Sequence, residues 1–91
     1  MHTHVVKRRA GHRELYDNHK VYASCYAACL NTLVPKEEAE ALCKKVTDEI
    51  DVWVGTKDVL TSDEIFKEVT RVMQKYNERA AFMYATHRDI S

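Results

Sequence analysis

From Asp17 to the C-terminus, apolar residues return every three or four positions, the period of helices that bury one face. Asp17 is a residue type that caps helix starts. It opens a helix predicted over residues 17–33, with Val21, Cys25, Ala28 and Cys29 as its core stripe. Pro35 suits the first turn of a second helix over 36–54, where Glu37 and Glu38 complement the positive end. Along it Ala39, Leu42, Cys43, Val46, Ile50 and Trp53 make the inner face, and Gly55 ends it. The sharpest local signal follows. Thr61 and Glu64 have the spacing of a capping box, with Leu60 and Ile65 placed as its hydrophobic staple. This predicts a third helix over 62–76 whose inner face carries Ile65, Phe66, Val69, Val72, Met73 and Tyr76. A fourth, over 78–89, buries Ala81, Tyr84 and Met83.

Ahead of the helices, residues 4–9 and 12–16 read as two short strands around Ala10 and Gly11, where glycine supplies the positive φ of a tight turn. The expected fold is mainly α: one domain over residues 1–91, with an N-terminal β-hairpin (about 4–16) lying over one end of a compact four-helix bundle. With 91 residues there is room for one modest core, and 2 Gly and 1 Pro agree with a helical chain.

Charge changes the picture at one end only. The net charge is zero, yet residues 1–20 carry five Lys/Arg against two acids and the remainder nine against twelve. A neutral chain makes a poor general nucleic-acid binder, whereas a local cationic cluster can hold one small anion. No apolar run is long enough to span a membrane, and the basic start leads into no apolar signal core, so a cytoplasmic location is expected. The three cysteines, Cys25, Cys29 and Cys43, read as free buried thiols. Without a CxxC pair or a Cys/His quartet no metal site is expected, although Cys25 and Cys29 share a helix face, which leaves a metal or redox role open. His2 and His4 belong to a terminal arm rather than a metal site. No serine or cysteine nucleophile stands beside a base and an orienting acid, and no Walker-type loop exists, so catalysis is not expected.

The candidate chemistry lies in Lys7, Arg8, Arg9 and Arg13 around the turn. A hairpin holds these cations near the start of the following helix, where unpaired N–H groups attract anions, and the combination suits a polyphosphate. Strand alternation sets Arg8 opposite to Lys7 and Arg9, so only some of them face one ligand. The competing reading is a solvated edge strand that carries cations against aggregation. Glu14 can simply pair with a neighbouring arginine, and Asp17 and Thr61 are caps on any reading.

These residues resemble the ATP-cone, the small nucleotide-binding regulatory module of ribonucleotide reductases and of the repressor of their genes. The run Val6-Lys7-Arg8-Arg9-Ala10-Gly11-His12-Arg13-Glu14-Leu15-Tyr16-Asp17, with Lys20 after it, follows the family's opening pattern V-x-K-R-D-G-R-x-E-x-F-D without a gap. The likeness continues at Val21 and Ser24, at Thr61-Ser62-Asp63-Glu64-Ile65, and at Ala81, Tyr84 and Arg88. Arg8 stands where the family has lysine, Ala10 where it has aspartate and His12 where it has arginine. The resemblance implies a hairpin lid that holds ATP or dATP, with or without magnesium, against the bundle, and an allosteric rather than catalytic role. It places Arg8 and Arg9 at the triphosphate, Glu14 and Asp17 near adenine, Lys20 near phosphate or ribose, and Thr61 or Ser62 at the phosphates, with Phe66 continuing the pocket. It implies a homo-oligomer, most simply a two-fold dimer, or a regulated partner such as a ribonucleotide reductase. The aromatics Tyr22, Tyr26, Tyr76 and Phe82 on the helices are candidate contacts for it, and core packing explains them about as well. Two alternatives stand beside it: a small protein-interaction module that has lost nucleotide binding, and an accessory transcriptional regulator resembling the reductase-gene repressor.

Overall fold

The computed structural model describes residues 3–7 and 12–90, with backbone alone for 6, 7, 12, 13 and 87–90. The turn at Ala10 and Gly11 lies outside the described residues, as do Arg8, Arg9 and His2. Strands β1 (His4–Lys7) and β2 (His12–Leu15) pair antiparallel, with Val5 opposite Glu14 and His4 opposite Leu15. Helices α1 (Asn18–Asn31), α2 (Lys36–Val54), α3 (Ser62–Tyr76) and α4 (Glu78–Ile90) follow, so the chain is mainly helical with a small sheet at its N-terminus. A third strand, β3 (Val59–Thr61), was not expected from the sequence. It pairs parallel to β1, with Val5 opposite Leu60, and the sheet order is β2-β1-β3. No described helix is long and apolar enough to cross a membrane.

Each helix begins and ends for a local reason. The Asp17 carboxylate accepts from the His19 backbone N–H at 3.0 Å and starts α1. The helix stops at Asn31, two residues short of the expected 33. The Leu33 N–H bonds to the Leu30 carbonyl and the Val34 N–H reaches back to the Cys29 carbonyl, a Schellman closure. That motif needs a left-handed residue after the cap. Here it is Leu33, at φ 61° and 91% exposed. An L-residue with a full side chain is strained there, and an exposed leucine has little packing to compensate. Leu33→Gly is therefore expected to raise stability by about 0.5–1 kcal/mol, measured as a higher urea midpoint at unchanged slope. Pro35 caps α2 with no side-chain bond, and the Gly55 N–H closes it on the Asp51 carbonyl at 3.0 Å. The Thr61–Glu64 capping box is fully formed, with both bonds at 3.0 Å. Asn77 joins α3 to α4, donating its N–H to the Met73 carbonyl and accepting from the Ala80 N–H through its side-chain oxygen at 3.0 Å.

The helices pack around a ring in which α1 meets α2 and α4, and α3 meets α2 and α4. One apolar core results. It holds the expected stripes Val21, Cys25, Ala28 and Cys29 of α1; Ala39, Leu42, Cys43, Val46 and Ile50 of α2; and Val69, Val72 and Met73 of α3. Leu60, Val54 and Ala80 join them, while Trp53, Ile65, Met83 and Tyr84 are partly buried against it. Two α3 residues expected inside do not join this core: Phe66, which stacks on Tyr84, and Tyr76. Tyr76 continues the apolar stripe, but at that height α2 presents Lys45 and Glu49. The ring is therefore 44% exposed, its hydroxyl donates to Glu49, and the ammonium of Lys45 lies 5.8 Å from the ring centre.

Candidate functional site

Strand alternation decides what the hairpin presents to the bundle. Val5, Glu14 and Leu60 are directly opposed across the three strands, so their side chains share one face. Val5 and Leu60 are buried there, and Glu14, half-buried, lies at the rim. The result is a small cleft of about 150 Å³ between the hairpin, α1 and the start of α3, lined in part by Glu14, Asp17, Lys20, Ser62, Val21 and Ile65. Four of the residues named from the sequence are thus brought together. Thr61 adjoins them, exposed, with its hydroxyl committed to the α3 cap. Phe66 sits one turn further along α3 and stacks on Tyr84, with centroids 5.3 Å apart and planes 20° from parallel. Arg8 and Arg9 belong to the part of the hairpin outside the described residues.

Within the cleft the charges are paired. The Lys20 ammonium donates to Glu14 at 2.9 Å, and this bond holds the lysine pKa above its ordinary value. The neighbouring arginines, the partners expected for Glu14, have side chains outside the described residues. Asp17 is held below the usual carboxylate range, first by the backbone N–H of His19 and then by the imidazole.

On the other side of Tyr16 lies a second cleft that nothing in the sequence pattern marked. The Tyr16 hydroxyl donates to Asp51 at 2.9 Å and the Asn18 amide donates to the other oxygen of Asp51 at 3.1 Å. Burial, and then this bond, push the phenol well above its ordinary value. Thr3, buried, donates to the carbonyls of Val54 or Lys57 at 3.0 and 2.8 Å. These bonds fasten the root of the hairpin to the end of α2. This second cleft is lined by Asp17, Asp51 and His19 at the start of α1, the first by Glu14, Asp17 and Lys20 at the start of α3.

Elsewhere the carboxylates are surface struts. Glu49 accepts from Lys75 at 2.6 Å and from Tyr76, tying α2 to α3, and Glu68 accepts from Arg71 at 2.6 Å. Lys75 on Glu49 and Arg71 on Glu68 hold both carboxyls below the usual range. A carboxyl with a depressed folded-state pKa binds fewer protons folded than unfolded, so its contribution exists above the unfolded pKa and disappears as pH falls through the folded one. Urea unfolding at pH 7, 5 and 3.5 should therefore show a midpoint nearly constant down to about pH 5 and falling below about pH 4.5. A midpoint that rose on acidification would contradict these assignments.

Tyr22 and Tyr26 stack one turn apart on α1, 6.2 Å between centroids and 10° from parallel, and both are half-buried against the core. Phe82 on α4 is 71% exposed and lines a shallow groove with Leu33, Arg79 and Met83. In the core, Cys43 of α2 joins Cys25 and Cys29 of α1, their sulfurs all within 4.8 Å of one another. The Cys43 sulfur, by hydrogen bonding and as a neighbouring charge, together with burial, pushes Cys25 far up. Burial and the same neighbour push Cys29 up to about 12, and hydrogen bonds from these two thiols lower Cys43. No protein-family model and no curated protein matches the chain.

Proposed function

We propose that this chain is a regulatory module that binds ATP or dATP between the hairpin and the bundle and performs no chemistry on it. The observation that carries the reading is the cleft that joins Glu14, Asp17, Lys20 and Ser62 at the start of α3. A cation, a hydroxyl and a helix N-terminus suit phosphate, and two carboxylates suit the exocyclic amine of adenine. The cationic run at Lys7, Arg8, Arg9 and Arg13 and the resemblance to the ATP-cone point the same way. Magnesium, if bound with the nucleotide, would offset phosphate charge, and Asp17 is an exposed carboxylate of the cleft that could hold it in place of adenine.

Ligand sites for small molecules usually span about 300–1,000 Å³, so a cleft of 150 Å³ has to open before a nucleotide enters. Opening separates Lys20 from Glu14. An exposed ion pair of this kind is readily exchanged, and each partner then gains a ligand group: phosphate for the lysine, adenine for the glutamate. Binding selects the open hairpin over the closed one, and that preference is what lets the nucleotide regulate anything. The output is then a change in self-association or in the grip on a partner protein.

Calorimetry with ATP, dATP and GTP tests this. Saturable binding of both adenine nucleotides is expected, with GTP weaker by about tenfold or more, because guanine presents a carbonyl where adenine presents an amine. Arg9→Ala and Lys20→Ala should each weaken ATP binding, while heat that is absent at millimolar nucleotide overturns the proposal. One observation favours a second reading, a protein-interaction module without nucleotide: the cleft is small and its lysine is already paired with Glu14. Nucleotide that co-purifies, seen as absorbance near 260 nm beyond that of Trp53 and the tyrosines, and that is lost in Arg9→Ala, rules that reading out.

A further inference from the structure

The three cysteines of the chain occupy three adjacent places in the core, two from α1 and one from α2, and each is fully buried. Any small apolar residue would fill such positions. Only sulfur fills them and also supplies three soft donors that face a common point. We propose that Cys25, Cys29 and Cys43 form a binding site for a single monovalent copper ion, held by sulfur alone.

The geometry fits that ion. Three sulfurs about 2.3 Å from a metal in one plane lie about 4 Å from one another, so sulfurs already within 4.8 Å need to close by less than an ångström. The spacing of Cys25 and Cys29 puts both on one face of α1, and α1 packs directly on α2, so rotamer changes are enough to close the triangle. The donor set selects the ion. Thiolates favour monovalent copper and zinc over magnesium, calcium or manganese. Zinc in a closed site takes four ligands, and among the described residues no histidine or carboxylate joins the three sulfurs. Monovalent copper is satisfied by two or three. Thr47, one turn beyond Cys43 on α2, is also buried, and its hydroxyl has no hydrogen-bond partner among the described residues, so this stretch of the core is less apolar than its surroundings suggest. On binding, two thiols release their protons to solvent and the third donates as a thiol, which leaves one net negative charge in the site. The ion links α1 to α2 and does not depend on whether the hairpin cleft binds nucleotide.

Anaerobic titration of the reduced protein with monovalent copper against a competing chelator tests the site, with X-ray absorption on the complex. One ion per chain in an all-sulfur shell is expected, with a thermal midpoint raised by several degrees, less than the affinity alone would give because the unfolded chain also offers thiols. Cys43→Ala should weaken binding by at least a hundredfold, and Cys25→Ala and Cys29→Ala serve as second and third tests, each checked for helical content. Replacing His2 and His4 by alanine should leave binding unchanged. Nitrogen donors in the absorption spectrum, full affinity in folded Cys43→Ala, or zinc displacing the copper would each overturn the proposal.

Discussion

Ile50→Ala is expected to destabilise the fold by about 3 kcal/mol, within the range that truncating a buried isoleucine costs once the cavity term is added. Ile50 is wholly buried on α2, and its neighbour two residues on, Val52, is 74% exposed. A domain of this length has roughly 5–14 kcal/mol of stability, so the loss is a large fraction of the whole and lowers the thermal midpoint by roughly 15 °C. Val52→Ala changes the same chemistry on the opposite face and should stay within about 0.5 kcal/mol of the parent. The pair tests the phase of α2 as well as the core. Equal losses in the two variants would mean that the helix is rotated from the orientation described.

The helical phase of α2 was legible because it is local: Ala39, Leu42, Cys43, Val46 and Ile50 lie within three turns of one another and report one face between them. The same holds for the caps. Asp17 and the Thr61–Glu64 box act on backbone groups a few residues away, and both appear as the sequence predicts. What escaped was non-local. Strand β3 is three residues long, too short to show alternation, and its partner β1 lies more than fifty residues earlier. Leu60 was legible as a staple for α3, whereas its pairing with Val5 was not. The bonds that root the hairpin escaped for the same reason: Tyr16 and Asn18 find Asp51 across more than thirty residues, and neither tyrosine nor asparagine announces a partner. The candidate cleft was half legible. The resemblance named Glu14, Asp17, Lys20 and Ser62, and the structure brings them together, but the Glu14–Lys20 pair and the small size of the cleft come only from packing. Cys25 and Cys29 were visible as one helix face, and only the approach of α2 adds Cys43.

Leu60→Ala is expected to cost about as much as Ile50→Ala, some 2–5 kcal/mol, yet to express it in a different place. Leu60 is 1% exposed and is the central residue of β3, so it both fills the core and anchors the strand against which β1 lies. Among the described side chains of the sheet Val5 is the other buried apolar one, while Leu15 is 52% and Val59 46% exposed. With Leu60 truncated, the described contacts that still hold the hairpin to the bundle are Val5, the Tyr16 ring, the Thr3 bonds and the pair of bonds to Asp51, the last partly open to water. Elements with few buried contacts open below the global unfolding free energy. Amide hydrogen exchange at His4, Val5 and Val6 should therefore accelerate by more than that at Val46 and Ile50, whereas Ile50→Ala should accelerate the helical amides as much as the strands. If a nucleotide selects the open hairpin, Leu60→Ala also strengthens its binding, because less closed-state packing has to be undone. Uniform acceleration across strands and helices would show instead that hairpin and bundle open as one unit, and a lid that cannot open alone could not admit a nucleotide.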